Sequence, residues 1–133
     1  MKPILPPTAD DMVALAEEAM GAIPDELRQY AEGVPVFVEE FPDDEICAEM
    51  DLESPFDILG LYSGLPFGEQ FSGAVVDRPD MIFLFRRPIL DYWCETGEDL
   101  RHVVRHVLIH EIGHHFGLSD EDMERIEEES SGD

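Results

Sequence analysis

Apolar residues recur at three- and four-residue steps from Met12 through Leu15, Ala16, Ala19 and Met20 to Ile23. This is the one-sided stripe of a helix, and Thr8, just ahead of it, is a residue type that caps helix starts. A shorter helix is predicted after Pro24, with Leu27 and Tyr30 facing inward and Gly33 ending it. The run VPVFVEEF then changes character. Its β-branched and aromatic residues predict a strand, with Pro35 near the start where a strand tolerates it. PDDEICAEMDL reads as a short helix headed by Pro42, and DILGLYSGLPFGEQ as a strand running into a loop punctuated by Gly60, Gly64, Pro66 and Gly68.

DMIFLFRRPIL predicts a second strand over residues 81–85, bounded by Asp80 and Pro88, followed by a short helical turn over 89–93. Thr96 is placed to cap the next helix, whose first turn would hold Glu98 and Asp99, the charge sign a helix N-terminus favours. Leu100, Val103, Val104, Val107, Leu108 and Ile112 give that helix its buried stripe, and Gly117 is its expected left-handed terminator. Ser119 opens a last short helix with Met123 and Ile126 as its apolar contacts. The pattern predicts an α+β domain over residues 1–126, with 127–133 (EEESSGD) as a frayed acidic tail.

At 133 residues the chain has room for one hydrophobic core. A hydrophobic content of 44% supports folding, while a formal net charge of −24 makes the surface strongly acidic. Such a surface repels phosphate backbones and anionic membranes, which argues against nucleic-acid and membrane partners, and it attracts cationic peptides at low salt. Taken alone, the charge is explained by a solvated surface kept soluble through self-repulsion. The first residues lack the apolar core of a secretion signal and no run is long enough to span a bilayer, so a cytoplasmic protein is expected. Cys47 and Cys94 have no metal-type spacing and are expected to be buried or half-buried reduced thiols.

The candidate chemistry sits in HEIGHHFGLSD, residues 110–120. On a helix, His110 and His114 lie one turn apart on a single face, where two imidazoles can meet one metal ion. Glu111 stands about 100° round the helix, near enough to act on a water as general base without becoming a ligand itself. The left-handed turn expected at Gly117 swings Asp120 back towards the histidines, which completes His-His-Asp and leaves a position open, as catalytic zinc requires. Shuffled chains of this composition contain the H-E-x-x-H spacing in roughly 2 of 100 cases, and with the added Gly and Asp in roughly 2 of 10,000. Asp120 has a second reading, as a carboxylate beside the N-terminus of the last helix. His102, His106 and His115 read as ordinary helix histidines, with His106 one turn from His110.

These residues carry a family likeness. HVLIHEIGHHFGLSDEDM, supported by GLYSGLPFGE and DMIFLFRRPI, resembles the small bacterial zincin-like metallopeptidases, a family first catalogued as a domain of unknown function; the likeness covers roughly residues 10–123. It implies a zincin-like α+β fold in which a small twisted mixed sheet packs against the motif-bearing helix, with additional N-terminal helices. It further implies zinc on His110, His114 and Asp120, Glu111 as base, and an extended peptide added to the DMIFLF strand or a neighbour. Larger relatives close the site with a methionine-containing turn well downstream; no counterpart is expected in the thirteen residues given after Asp120, where Met123 stands too near to be its equivalent. Tyr62, Tyr92, Arg86 and Arg87 are candidates by chemistry for stabilising an oxyanion.

The expected function is zinc-dependent hydrolysis of peptide or protein substrates, with the metal activating a water and Glu111 taking its proton. Two alternatives stand beside it: a metal-stabilised module that binds peptides without cutting them, and a metal-dependent RNA hydrolase, which the acidity and Glu111 disfavour.

Overall fold

The computed structural model describes residues 5–64 and 80–130. Helix α1 (Ala9–Ala22) starts at Thr8, whose side chain accepts from the Asp11 N–H while the Asp11 carboxylate accepts from the Thr8 N–H, so two otherwise orphaned donors are satisfied reciprocally. Met12, Ala16 and Ala19 are buried along it. Helix α2 (Asp25–Ala31) buries Leu27 and Ala31. Tyr30, expected to face inward, is 40% exposed and stacks on Phe116 with ring centroids 4.8 Å apart. A seven-residue helix has space for only a narrow buried stripe, and Leu27 and Ala31 fill it.

Strand β1 (Val36–Glu39) leads to α3 (Asp44–Glu49), capped by Asp43 through the Ile46 N–H, and a 3-10 turn at Pro55–Asp57 precedes strand β2 (Gly60–Ser63). Strand β3 (Met81–Phe85) covers the residues its pattern predicts. The loop expected at Pro66 and Gly68 lies outside the described residues. The sheet order is β1-β3-β2, with β1 parallel and β2 antiparallel to β3. The DMIFLF strand is thus the middle strand, its ladder groups used on both sides. Strand addition, expected on it or a neighbour, is open only to the neighbours.

Helix α4 (Arg86–Thr96) begins directly after β3 and is longer than the turn expected at 89–93. Pro88 sits in its first turn, where a missing N–H costs no helical bond. Gly97 closes α4 in the left-handed conformation, its N–H bonded to the Trp93 carbonyl. This corrects the role expected of Thr96, which ends α4. The cap of α5 (Leu100–His115) is Asp99, whose carboxylate accepts from the Arg101 N–H at 2.9 Å. Val103, Val104, Val107, Leu108, Ile109 and Ile112 are buried along α5, and Leu100 packs at the edge of the core.

Gly117, with φ 77°, turns the chain, and Ser119 accepts from the Asp122 N–H at the start of α6 (Asp120–Ser130). Met123 and Ile126 are fully buried as expected. The tail expected to fray from residue 127 is helical through Ser130, whose hydroxyl donates to the Ile126 carbonyl at 2.7 Å. Glu127 faces α5 and so keeps the last turns in place. Helix α5 packs against α1, α6 and β2, and α1 packs against β1, so the sheet and the helices share one core. The result is an α+β fold with a small mixed sheet laid on the motif-bearing helix. No helix among the described residues is long and apolar enough to cross a membrane.

Candidate active site

Two glycines set the distances around α5. A Cβ on Gly60 would lie 2.6 Å from a Val107 methyl, so β2 approaches α5 closely only because residue 60 has no side chain. A Cβ on Gly113 would lie 2.4 Å from the Met123 sulfur, so α6 packs on the motif helix at its central glycine. Met123, for which sequence reasoning had no structural role beyond an apolar contact, lies against the motif helix at this point.

Glu111 is drawn to the side of β2 that faces away from β3. The Phe85 N–H donates to the Leu59 carbonyl, and with Gly60 opposite Leu84 this makes 59–85 and 61–83 the hydrogen-bonded pairs of the antiparallel ladder. The Tyr62 N–H therefore points away from β3, and the Glu111 carboxylate accepts it. Burial raises the Glu111 pKa above the usual carboxylate value, with the Tyr62 N–H and the nearby His114 pulling against that rise. A cleft of about 260 Å³ opens beside this carboxylate, lined by Asp57, Ile58, Leu59, Gly60, His106, Val107, His110 and Glu111.

Tyr62 itself is held on two sides. Its hydroxyl donates to Asp80 at 3.0 Å, and its ring stacks on His115 with centroids 3.8 Å apart. That contact gives His115, set aside as an ordinary helix histidine, a place in fixing β2 to α5. The other oxyanion candidates are engaged elsewhere: Arg86 with Glu40 and the Pro7 carbonyl, Arg87 over the Phe41 ring, and Tyr92 with Glu98.

His110 and His114 lie on one side of α5, their rings 5.7 Å apart and nearly perpendicular. Asp120 is the first residue of α6 and its side chain is 90% exposed, with Oδ1 3.9 Å from His114 Nε2. Ser119 does the capping, so the Asp120 carboxylate is left to face the histidine. Two ligands on one tetrahedral zinc, each bound at about 2.0–2.2 Å, stand roughly 3.2–3.6 Å apart, so the His114–Asp120 pair must close by a few tenths of an ångström, a small rotation of an exposed side chain. Two imidazoles and a carboxylate are also the chemistry zinc takes. His110 is the member that must turn to join them, because its Nε2 faces Glu127 Oε2 at 3.2 Å. Sequence reasoning missed Glu127. The available signal was that it follows Asp120 by seven residues, two helical turns, and so belongs to the same side of α6.

The model of the zincin-like metallopeptidase family matches residues 31–130. The chain belongs to this zincin-like metallopeptidase family. The match begins at the end of α2 and takes in all three strands, the motif helix and α6. No curated protein sequence matches the chain.

Proposed function

We propose that the protein is a zinc-dependent peptidase that cuts extended peptides lying alongside β2, with Glu111 as general base. The observation that carries this reading is the position of Glu111, a half-buried carboxylate with a raised pKa in the metal-free protein, anchored to the β2 N–H that points away from β3 and opening on a cleft it shares with His110. Family membership supports the same chemistry.

His110, His114 and Asp120 are the residues that would hold zinc. When bound there, zinc supplies Lewis acidity, which polarises a peptide carbonyl and acidifies a water. Glu111 accepts the proton of the attacking water at its carboxylate and passes it to the departing amine. Its position beside the cleft lets it take the proton from a water and return it to the amine without itself becoming a ligand. The Tyr62 N–H fixes the carboxylate through a backbone donor, and the Asp80–Tyr62–His115 contacts hold that donor still. Asp57 in the cleft beside Glu111, and Glu124, Glu127 and Glu128 in the neighbouring cleft at His106, favour basic side chains in the substrate.

The test is cleavage of a mixed, base-rich peptide pool by zinc-loaded protein, read as new amino termini. The wild type should contain about one zinc per chain and cleave, and His110→Ala should lose both. Binding of the peptides without any cleavage by the fully loaded wild type would leave a peptide-binding module in place of the enzyme.

A further inference from the structure

Helices α5 and α6 run antiparallel, since Gly113 meets Met123, His114 meets Asp120 and, further back along α5, His106 meets Glu127. Along this seam α5 presents imidazoles at positions 106, 110 and 114, one per turn, while α6 presents carboxylates at 120 and 127, two turns apart. The family motif uses only one end of this ladder.

At the other end, Glu127 Oε1 lies 2.6 Å from His106 Nδ1 and Glu127 Oε2 lies 3.2 Å from His110 Nε2, with the two imidazole rings 4.0 Å apart. One donor atom from each of the three residues falls within 4.8 Å of the others. Three ligands on one zinc-sized ion stand roughly 3.2–3.6 Å apart when each bond is about 2.0–2.2 Å, so small side-chain rotations suffice. Glu127 is 15% exposed, and burial of this kind strengthens the attraction between a carboxylate and a cation. A second cleft of about 470 Å³, lined in part by His102, His106, Glu124, Glu127 and Glu128, reaches the same group, which gives an ion an acidic approach and space for water as its remaining ligand.

We propose that His106, His110 and Glu127 form a second site for a transition-metal dication, one helical turn from the motif site and mutually exclusive with it. Exclusion follows from His110. A neutral imidazole carries its proton on one nitrogen and offers a lone pair on the other, so an ion held with Glu127 and an ion held with His114 and Asp120 compete for one donor. Glu127 stations His110 away from the motif site, and a metal ion reaching that site takes His110 from it.

The probe is cobalt(II), titrated into the metal-free full-length chain, with bound ion counted by equilibrium dialysis and the ligand field followed by visible absorption. The wild type should bind one ion per chain. A His114→Ala, Asp120→Asn double variant removes two motif-site ligands that are more than half exposed, and should still bind one ion per chain with a shifted spectrum. Adding His106→Ala or Glu127→Gln to that background should lower the affinity at least about a hundredfold. His114→Ala alone serves as the second variant if the double one fails to fold, as judged by circular dichroism. A folded double variant that binds no cobalt, or binds it with indifference to His106 and Glu127, overturns the site; two tight ions per wild-type chain overturn the exclusion. This site stands apart from the peptidase reading: absent cleavage with this cobalt pattern removes the peptidase alone, and cleavage without the pattern removes the second site alone.

Discussion

Gly113→Ala puts a methyl group where the Met123 side chain now lies, 2.4 Å from its sulfur and 2.8 Å from its Cγ. Comfortable contacts of this kind are about 3.5–4.0 Å, so more than about 1 Å must be absorbed. Met123 is fully buried, and the methyl meets the middle of its side chain, so the tip cannot simply swing aside. Alanine gains about 1 kcal/mol over glycine in a helix interior, and overpacking of a filled core costs about 1–3 kcal/mol. The net expectation runs from near zero to a loss of about 2 kcal/mol, or up to roughly 8 °C in Tm for a domain of this size. Displacing α6 also carries Asp120 and Glu127 away from the histidines, so zinc affinity should fall with stability. Met123→Ala should cost about 2–5 kcal/mol by itself, and the double variant should be more stable than the sum of the two by at least about 1 kcal/mol, since each relieves the other. Thermal melts of the four metal-free proteins, with a zinc titration of each, make the comparison. Effects of the two single variants that simply add in the double variant would refute the close packing of α6 on the motif helix.

Asp120→Ala should move the bound ion from the motif site to His106, His110 and Glu127, so that cleavage is lost while an ion is still held, and should leave the melt of the metal-free protein almost unchanged, because Ser119 supplies the cap and the carboxylate is exposed; a cleavage assay and metal count beside a melting curve check both. Thr8→Ala removes one arm of the reciprocal cap on α1 and should cost about 1 kcal/mol in thermal stability, with zinc binding unaffected. Burial raises the Glu111 pKa, so the folded metal-free protein binds that proton more tightly than the unfolded chain does. The charged form therefore penalises the fold above the folded pKa, and the penalty lifts as pH falls through it. Metal-free Glu111→Gln should accordingly melt above wild type at pH 8, with the gap closing on acidification; equal melts across the range would contradict the burial of that charge.

The elements were legible where local pattern and tertiary packing agree. β3 and the Thr8 cap stand as the sequence indicates, because alternation and capping chemistry act within a few residues. Thr96 misled, since a capping residue type is only useful if the helix begins after it, and Gly97 ended the preceding helix there instead. Gly60 and Gly113 gave no sign of their close approaches to Val107 and Met123, which join segments distant in the chain. Helix geometry put His110 and His114 on one face, and the glycine turn brings Asp120 beside His114, but the rotation of His110 towards Glu127 was not legible. The seven-residue offset of Glu127 from Asp120 puts it on the same side of α6 without singling it out among the carboxylates around it, which only the packing of α6 along α5 does. The hydrogen bond from the Tyr62 N–H to Glu111 depends on ladder parity, which a one-residue slip in register would reverse.

Glu111→Gln in the zinc-loaded protein tests the central claim most directly. The substitution keeps the size of the side chain and an oxygen for the Tyr62 N–H, and removes the basicity. Zinc content and peptide affinity should match wild type while the rate of new amino-terminus formation falls by about 10² or more. Equal cleavage rates in two proteins of equal zinc content would contradict the assignment of Glu111 as the base.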